Sequence, residues 1–518
     1  MHRAIGTMVA GALALLAFCG AAQAADCAGT PALKGFASAG WGIDARNTRY
    51  QPKTTITAAN VARLRLKWTY GLSSDAPRSY PLVSDDTIFL GDAGHGVVAL
   101  NRRSGCARWT SPHTGYIGTA IVQANFGGKT ALFFNDRYPG HMYALNASNG
   151  AALWDRRGPG DNPVVMLSGT PLVDGPRMYV PLSSLEIGLV ANPFYGCCTT
   201  SGGMAAVKLS DGATLWHRRS IPGQPKLVGH HFIFVEEFAP SGAPVWGPAT
   251  LDAASNTIFF GTGQNYSRPA TTTSDSIFAV NAADGSVRWV HQFHKDDAYN
   301  IACDISSGHP NCPKPLGPDL DFGAPTILAH TKDGRTLLLA GEKSGQVYAL
   351  DPVDGHVVWT KVAGRGGALG GVHWGMAVNE QLGLLYVPVS DVDAGKMSGP
   401  GKARAGLYAY DIATGELRWS HLRTPRCADR TCSPGLSAAI IAGPDLVFAG
   451  SLDGKLEAYD AQSGKVLWSY DSWRDYANTV NGVAAHGGAF DAHGPLLAGD
   501  QMMVSSGYNS FGEKGGNA

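Results

Sequence analysis

The stretch IFAVNAADGSVRW (277–289) decides the fold, because its pattern returns along the chain. Two or three apolar residues and a polar residue precede a turn with glycine, and a second segment ends in tryptophan. This order is typical of a β-hairpin. The other six copies are VVALNRRSGCARW (97–109), HMYALNASNGAALW (141–154), MAAVKLSDGATLW (204–216), VYALDPVDGHVVW (347–359), LYAYDIATGELRW (407–419) and LEAYDAQSGKVLW (456–468). We interpret the repeated tryptophans as packing residues between neighbouring units.

Residues near the two ends of the chain predict how the ring of hairpins closes. Trp68 ends the segment LRLKW without a hairpin before it, and its partner strands are expected around LLAGDQMMVSSGY (496–508). Pairing of the two ends closes a ring and removes exposed sheet edges. We therefore predict an all-β, eight-bladed β-propeller whose last blade combines N-terminal and C-terminal segments. One further apolar strand would be expected where the sequence reads Gly516-Asn517-Ala518, and its absence there predicts an incomplete last blade and weaker ring closure.

Residues 1–24 have the features of a secretory signal peptide. A basic start at His2 and Arg3 precedes an apolar run over 11–20 that is too short to span a bilayer, and Ala22-Gln23-Ala24 is a small-residue cleavage pattern. We predict cleavage after Ala24, with residues 25–518 as one propeller domain in the periplasm or outside the cell. No later stretch predicts a membrane span. Basic and acidic residues number 41 each, which argues against a nucleic-acid-binding protein.

Nine cysteines are present, and Cys19 leaves with the predicted signal. The remaining even number in an oxidising compartment predicts disulfides. Two pairs are close enough in sequence to staple loops, Cys303 with Cys312 and Cys427 with Cys432. The other four pair either as Cys27–Cys106 and Cys197–Cys198 or in a crossed arrangement. No Cys-x-x-Cys-His motif occurs, so no covalently attached haem is expected.

The vicinal cysteines Cys197 and Cys198, in YGCCTTSGG, are the most unusual local feature. Neighbouring Cα atoms lie about 3.8 Å apart in a trans peptide, whereas disulfides usually join Cα atoms about 4.4–6.8 Å apart. A disulfide between neighbours therefore distorts its backbone, and such strain is typical of functional sites. The alternative is that the two residues pair elsewhere or form only a structural kink.

Several polar and aromatic residues outside the repeat are candidates for a ligand site. Glu186 ends a predicted strand, and Asn265 lies in GTGQNYS directly after another. Glutamate and asparagine oxygens are typical ligands of hard cations, although a solvated carboxylate and an ordinary turn are the simpler interpretations. Trp246 and Trp374 do not belong to the repeat, so they either line a flat pocket or pack in the core.

A second group of candidates is charged. Asp296 and Asp297, next to Lys295 in HQFHKDDAYN (291–300), are candidate bases or members of a polar loop. Lys343 in GEKSGQ is a candidate contact for an anionic ligand. We interpret the two acidic residues of GPDLDFGAP (317–325) as turn and strand-start residues.

Together these segments resemble the quinoprotein alcohol dehydrogenases that use pyrroloquinoline quinone (PQQ), and most closely the branch that oxidises polyvinyl alcohol. The hairpin alone is a weak signal, whereas the vicinal cysteines combined with GTGQNYS and DAYN are more specific. The matching segments follow one another through nearly the whole chain after residue 24. They are WGIDARNTRYQP (41–52), VPLSSLE (180–186), GCCTTSGG (196–203), GTGQNYSRPATTTSD (261–275), DDAYNIACD (296–304), NCPKPLGPDLDFGAP (311–325), GEKSGQVYALD (341–351), GGVHWGMA (370–377) and NTVNGVAAHGG (478–488).

The resemblance implies how a flat quinone with three carboxylates is held. A Cys197–Cys198 disulfide would cover one face of the quinone and Trp246 the other. Trp374 is predicted to contact the cofactor as well. Lys343 would contact the quinone or one of its carboxylates. Here the cofactor supplies the redox chemistry and the protein supplies binding and electrostatics.

The resemblance also implies a metal and a base. Glu186 and Asn265 would ligate Ca²⁺ together with PQQ, and the ion would polarise the quinone as a Lewis acid. An active-site base would take the hydroxyl proton of the alcohol. Where characterised relatives have a catalytic Asp, this chain has Asn300, whose amide cannot accept that proton. Asp297, three residues earlier, is the predicted substitute.

These features predict oxidation of a secondary or polymeric alcohol to a ketone or aldehyde in the periplasm. Since no haem domain is present, a separate cytochrome c is the expected electron acceptor. The rival hypothesis is a non-catalytic or degenerate propeller that binds or scaffolds other molecules. Asn300 favours this rival, as does Ile117, which stands where that branch is expected to have an arginine contact for a PQQ carboxylate.

Overall fold

Seven antiparallel sheets, six of four strands and one of five, are the blades of a β-propeller and make up most of the described protein. The structure is a computed structural model that describes Cys27 and residues 29–74, 77–112, 115–426, 432–508 and 512–518. The predicted signal peptide lies outside the described residues. No helix within these ranges is long and apolar enough to cross a membrane.

The first four blades occupy the chain from residue 82 to residue 292. Blade 1 contains β1 (Leu82–Val83), β2 (Thr87–Asp92), β3 (Gly96–Asn101) and β4 (Ala107–Ser111). Blade 2 contains β5 (Val122–Phe126), β6 (Lys129–Asn135), β7 (His141–Asn146) and β8 (Ala152–Arg157). Blade 3 contains β10 (Leu172–Asp174), β11 (Arg177–Ser184), β12 (Gly203–Lys208) and β13 (Thr214–Arg219), with β9 (Val165–Met166) paired to β11. Blade 4 contains β16 (Thr250–Asp252), β17 (Thr257–Gly261), β18 (Ser276–Asn281) and β19 (Val287–Gln292), and the hairpin β14 (Lys226–His231) and β15 (Val235–Ala239) precedes it.

The remaining three blades follow the same plan. Blade 5 contains β20 (Ile327–His330), β21 (Thr336–Gly341), β22 (Gln346–Leu350) and β23 (Val357–Val362). Blade 6 contains β24 (Ala377–Asn379), β25 (Leu384–Val389), β26 (Gly406–Asp411) and β27 (Leu417–Leu422). Blade 7 contains β28 (Ile441–Ala442), β29 (Leu446–Gly450), β30 (Lys455–Asp460) and β31 (Val466–Asp471). Two short pairs come last, β32 (Asp475–Tyr476) with β33 (Ala485–His486) and β34 (Leu496–Ala498) with β35 (Gln501–Met503). Outside the sheets lie α1 (Glu186–Leu189), α2 (Ala302–Ile305) and the 3-10 turns Val61–Arg63 and Gly395–Met397.

Each predicted hairpin forms the third and fourth strands of a blade, and its tryptophan packs against the next blade. In blade 3 the Trp216 indole N–H donates to the Ala282 carbonyl of blade 4 at 3.1 Å. Gly285 of blade 4 lies directly against this ring, where an added Cβ would come within 2.6 Å of it. Four further repeat tryptophans, at 154, 289, 359 and 419, make the same hydrogen bond to the following blade. The interpretation of these residues as packing residues is therefore confirmed.

The prediction of eight blades is wrong, because the described residues form seven. The segments expected to build the eighth lie between blades 7 and 1 but share no sheet. β34 pairs with β35, whereas residues 64–70 form no strand, and a groove of about 460 Å³ lies between these segments. Trp68 nevertheless donates its indole N–H to the Arg102 carbonyl of blade 1 at 3.3 Å. The repeat pattern therefore marks the docking tryptophan but does not establish a strand beside it.

The segment 45–49 ties four blades together near the propeller centre. Backbone carbonyls of Ala45, Arg46, Thr48 and Arg49 accept hydrogen bonds from the first strands of blades 4, 5, 6 and 7, at residues 251, 328, 378 and 442. The first strands are largely buried, so this segment satisfies backbone groups that water does not reach. Loops on the blades that it braces carry most of the candidate site.

Candidate active site

The vicinal cysteines form a disulfide, and this pairing also resolves the alternatives left open by the sequence. Cys197 and Cys198 are bonded, as are Cys27 with Cys106 and Cys303 with Cys312. Cys427 lies outside the described residues. The vicinal pair is buried beside Tyr266, and its backbone exchanges two hydrogen bonds with Phe238 of β15. The disulfide is therefore held in place by neighbouring loops and strands.

Trp246, Lys343 and Trp374, three of the predicted cofactor-binding residues, lie close to one another. The Lys343 ammonium is 5.8 Å from the centroid of the Trp246 ring. Trp374 packs edge-on against the same ring, with the centroids 5.0 Å apart. Gly323 lies under Trp246, since a Cβ there would come within 1.8 Å of the ring. These contacts hold the indole in one position beside a cation.

Lys343 forms two ion pairs that the sequence interpretation missed. Its Nζ lies 3.0 Å from Asp319 Oδ1 and 2.8 Å from Asp321 Oδ2. Burial lowers the pKa of Lys343, but the two carboxylates outweigh it and the net shift is upward. Burial raises the pKa of Asp319 well above its ordinary value, although Lys343 opposes that shift. The sequence predicts only turn and strand-start roles for both aspartates, because the loop sequence contains no sign of a distant lysine.

Asp297 and Asn300 are both buried and are bound to the protein itself. The Asp297 carboxylate accepts backbone N–H groups from Asp319 (3.1 Å) and Leu320 (2.9 Å). Burial raises its pKa to about 6, with those hydrogen bonds acting in the opposite direction. The Asn300 amide donates to the Tyr266 and Asn311 carbonyls, and its Oδ1 accepts the Ala302 N–H at the start of α2. Asn300 therefore holds loops together and offers no proton acceptor.

Glu186 and Asn265, the predicted Ca²⁺ ligands, already have protein donors on their oxygens. Glu186 accepts five groups, the backbone N–H and hydroxyl of both Thr199 and Thr200 and the hydroxyl of Tyr195. A carboxylate has about four lone-pair sites, so these contacts occupy them all. Asn265 Oδ1 accepts hydrogen bonds from the backbone N–H (2.8 Å) and the hydroxyl (3.2 Å) of Thr271. In this arrangement neither side chain has an oxygen left for a cation.

Arg78 is a further candidate that sequence reasoning missed. Its side chain is buried, and the guanidinium lies 4.8 Å from the Trp374 ring centroid and 5.9 Å from that of Tyr508. Its Nε has no hydrogen-bond partner, and no carboxylate of the described chain pairs with it. A buried cation without an anion is costly unless a ligand supplies one. Arg78 precedes β1 in the plain stretch PRSYP, where no motif indicates a site.

A cavity of about 850 Å³ opens beside the Lys343 group. Its wall includes Asp319, Tyr299, Asp304, Leu369, Asp391 and Arg423. Asp319 thus lines the cavity and also pairs with Lys343. Lys295 and Asp296, the other charged candidates, are exposed. The site therefore places an aromatic face and a buried cation next to a carboxylate, and that carboxylate belongs to the wall of a cavity wide enough for an organic molecule.

Two family models match the chain. Residues 39–310 match the β-propeller domain of glucose, ethanol and alcohol dehydrogenases, and residues 273–513 match the outer membrane protein assembly factor BamB. A polyvinylalcohol dehydrogenase of Sphingopyxis sp. (strain 113P3) is 34% identical over 479 residues, which span 90% of this chain and 72% of that protein. A polyvinylalcohol dehydrogenase of Pseudomonas sp. is 33% identical over 477 residues, covering 90% of this chain and 73% of that protein.

The fold is also similar to a solved structure, the quinohemoprotein alcohol dehydrogenase from Comamonas testosteroni. The two superpose with a TM-score of 0.65 at 20% identity, over 90% of this chain and 79% of that one. The first family match, over 39–310, includes the vicinal disulfide, Trp246 and the loop with Asp297. Lys343 and its partner aspartates lie beyond that match.

Proposed function

Since the chain belongs to the family of PQQ-dependent alcohol dehydrogenases, we propose that it oxidises a secondary or polymeric alcohol to a ketone or aldehyde outside the cytoplasm. The observation that carries the proposal is the buried Lys343 ammonium beside the Trp246 ring, linked through its ion pair with Asp319 to the wall of a cavity of about 850 Å³. A flat anionic cofactor and an organic substrate would both find their partners there.

The residues present fit PQQ. Trp246 offers an aromatic face, and Lys343 offers a charge close to it. Arg78 is a buried guanidinium with an unpartnered Nε, which is the donor that a carboxylate of the cofactor would satisfy. Arg78 would thus supply the contact that the sequence leaves open at Ile117. When bound, PQQ supplies the two-electron acceptor that takes the carbinol hydrogen as a hydride.

The chain's own residues would orient the alcohol and move its proton. Lys343 would direct the polar edge of the cofactor, while Leu369 and Tyr299 form part of the cavity wall against which the substrate packs. A carboxylate of these loops would take the proton; Asp297, the candidate from the sequence, already accepts two backbone N–H groups. Asn300 contributes by anchoring the loop that carries it.

Ca²⁺ remains a prediction, and no step is routed through it. The residues that would hold the ion, Glu186 and Asn265, use their oxygens for internal hydrogen bonds in this arrangement. A cation site would require both side chains to give up those donors.

Substrate, electron acceptor and location go beyond the family assignment. The substrate class is proposed because similar curated proteins are polyvinylalcohol dehydrogenases. Export is proposed because residues 1–24 have the pattern of a signal peptide. A separate cytochrome c is proposed as the acceptor because the sequence has no Cys-x-x-Cys-His motif for its own haem.

One experiment tests the proposal directly. The chain after Ala24 is titrated with PQQ in a calorimeter, once with Ca²⁺ and once with a chelator, and reduction of an artificial dye is then followed with primary, secondary and polymeric alcohols. We expect PQQ binding and the fastest turnover with secondary or polymeric alcohols. Absence of PQQ binding under both conditions refutes the proposal, and binding without turnover on any alcohol supports the rival, non-catalytic hypothesis.

A further inference from the structure

We infer that Asp319, rather than Asp297, accepts the hydroxyl proton of the alcohol, an inference that rests on the proposed function. Asp319 lies in the loop before β20, and its carboxylate lines the cavity of about 850 Å³. The carboxylate is 3.0 Å from Lys343 Nζ, the cation beside Trp246. It therefore stands between the place for a substrate and the place for the cofactor.

The two oxygens of Asp319 differ in a way that suits a base. Oδ1 accepts from Lys343, which keeps the side chain oriented. Burial raises the pKa of Asp319, and the lysine charge opposes that shift. No hydrogen bond to Oδ2 is found in the part of the chain that the structure describes, so this oxygen is available on the cavity side. A general base needs an oxygen within hydrogen-bond reach of the substrate proton, and Oδ2 is the oxygen of Asp319 that could take that place for an alcohol bound in the cavity.

The backbone at Asp319 is held in an unusual conformation. Its φ is +60°, in the left-handed region that residues other than glycine seldom adopt. Its N–H donates to the Asp297 carboxylate at 3.1 Å, and the next N–H, of Leu320, donates to the same carboxylate at 2.9 Å. Asp297 thus anchors the turn that presents Asp319, and we assign it as a positioning residue.

The other carboxylates of the cavity wall lack this combination. Asp304 accepts the Tyr299 hydroxyl at 2.7 Å. Asp391 accepts four backbone N–H groups, from residues 365, 366, 371 and 404. Asp393 is exposed at the rim, with 77% of its side chain accessible. Among the described wall residues, Asp319 alone pairs a buried cation with an oxygen open to the cavity.

The step balances with PQQ as the oxidant. The O–H bond of the alcohol breaks and its proton passes to Asp319 Oδ2, while the carbinol C–H bond breaks and its hydride passes to the quinone. The alcohol carbon loses two electrons and becomes a carbonyl carbon. The proton held by Asp319 is then released to solvent or to the reduced cofactor.

The test compares Asp319→Asn with Asp297→Asn and with Asp211→Asn, a control in the exposed hairpin turn of blade 3. Asparagine tolerates a left-handed backbone, so Asp319→Asn is expected to fold, and circular dichroism with PQQ titration checks this. We expect kcat to fall at least about 100-fold in Asp319→Asn, the lower range for loss of a general base, with PQQ affinity within a few fold of the wild type. Asp211→Asn is expected to keep kcat within about threefold, because it lies away from the cavity and its amide oxygen can still accept the Ala213 N–H.

A pH profile separates a base from a merely structural residue. The groups that face Asp319 from neighbouring loops are Lys343, Asp321, Asp297 and Tyr299. In the wild type kcat/KM is expected to fall on the acid side as the base takes up a proton, and in Asp319→Asn that acid limb is expected to disappear. Asp297→Asn is expected to lower kcat while it keeps the limb.

Each outcome decides the inference. It is overturned if Asp319→Asn binds PQQ and retains kcat within threefold, or if the acid limb disappears in Asp297→Asn and persists in Asp319→Asn. A wild-type protein that binds no PQQ refutes the proposed function first. Turnover by the wild type with an unaffected Asp319→Asn refutes only the assignment of the base.

Discussion

Replacing Lys343 with methionine removes the cation that lies between Asp319 and Asp321. The three side chains are only 10%, 9% and 6% exposed, so water screens the remaining charges poorly. Breaking a buried ion pair from one side typically costs about 3–5 kcal/mol, because an uncompensated charge stays buried. We expect Lys343→Met to lower the free energy of unfolding by about that amount at pH 7, as measured by urea titration.

The pH dependence of that loss has a definite sign. Without the cation, the pKa of Asp319, which burial already raises, rises further in the folded state, so the folded variant binds protons more readily than the unfolded chain. Its stability relative to the wild type should therefore recover as the pH falls from 7 to 5. Adding Asp321→Asn to Lys343→Met should also recover part of the loss, since one buried charge is removed.

Two results would refute this reasoning. One is a loss below about 1 kcal/mol at pH 7, comparable to the surface control Lys208→Met, which is expected to change stability by about 0.5 kcal/mol or less. The other is a loss of full size that stays the same at pH 5. Either result would mean that Lys343 does not compensate the two carboxylates.

Three further predictions concern the cofactor site and the buried histidine near it. Arg78→Gln should weaken PQQ binding about 10- to 100-fold in calorimetry, since a charge-assisted hydrogen bond contributes about 1.5–3 kcal/mol. The same variant should leave thermal stability nearly unchanged, because no carboxylate loses a partner. Gly323→Ala should displace the Trp246 ring, which an added Cβ would approach to 1.8 Å, and should weaken PQQ binding and quench or shift tryptophan fluorescence. His493 is buried with both ring nitrogens unpartnered, and burial lowers its pKa to about 3. Below about pH 6.5 the unfolded chain therefore binds a proton that the folded protein does not, and the folded state loses up to about 1.4 kcal/mol of stability per pH unit. His493→Met should therefore show a shallower loss of stability between pH 6.5 and pH 4.

Matched controls limit the other interpretations of these variants. Arg156→Gln removes an exposed guanidinium and should leave PQQ binding unchanged. Gly188→Ala adds a methyl group where no atom lies within 4 Å, so it should not affect tryptophan fluorescence. An equal effect of control and test variant would contradict the assigned contact, and an acid profile of His493→Met identical to the wild type would contradict the effect assigned to that histidine.

The sequence alone was sufficient for features that depend on residues close together in the chain. Each hairpin such as 277–289 carries its own alternation, its turn glycine and its terminal tryptophan, so the hairpins and their packing role were predictable. The vicinal cysteines were recognisable as a candidate pair for the same reason, and the grouping of Trp246, Trp374 and Lys343 followed from family resemblance.

Only the tertiary structure decided the features that join distant segments. Trp68 suggested an eighth blade, but a blade exists only where strands are close enough to share hydrogen bonds, and residues 64–70 do not pair with β35. The ion pairs of Lys343 join residues 24 and 22 positions apart, in a loop whose sequence gives no sign of them. Arg78 contacts Trp374, which lies far from it in the sequence, so the sequence alone does not show that this buried arginine has no anionic partner. Local patterns specify hairpins because their contacts are short-range, whereas charge compensation in a buried site depends on which loops the closed ring brings together.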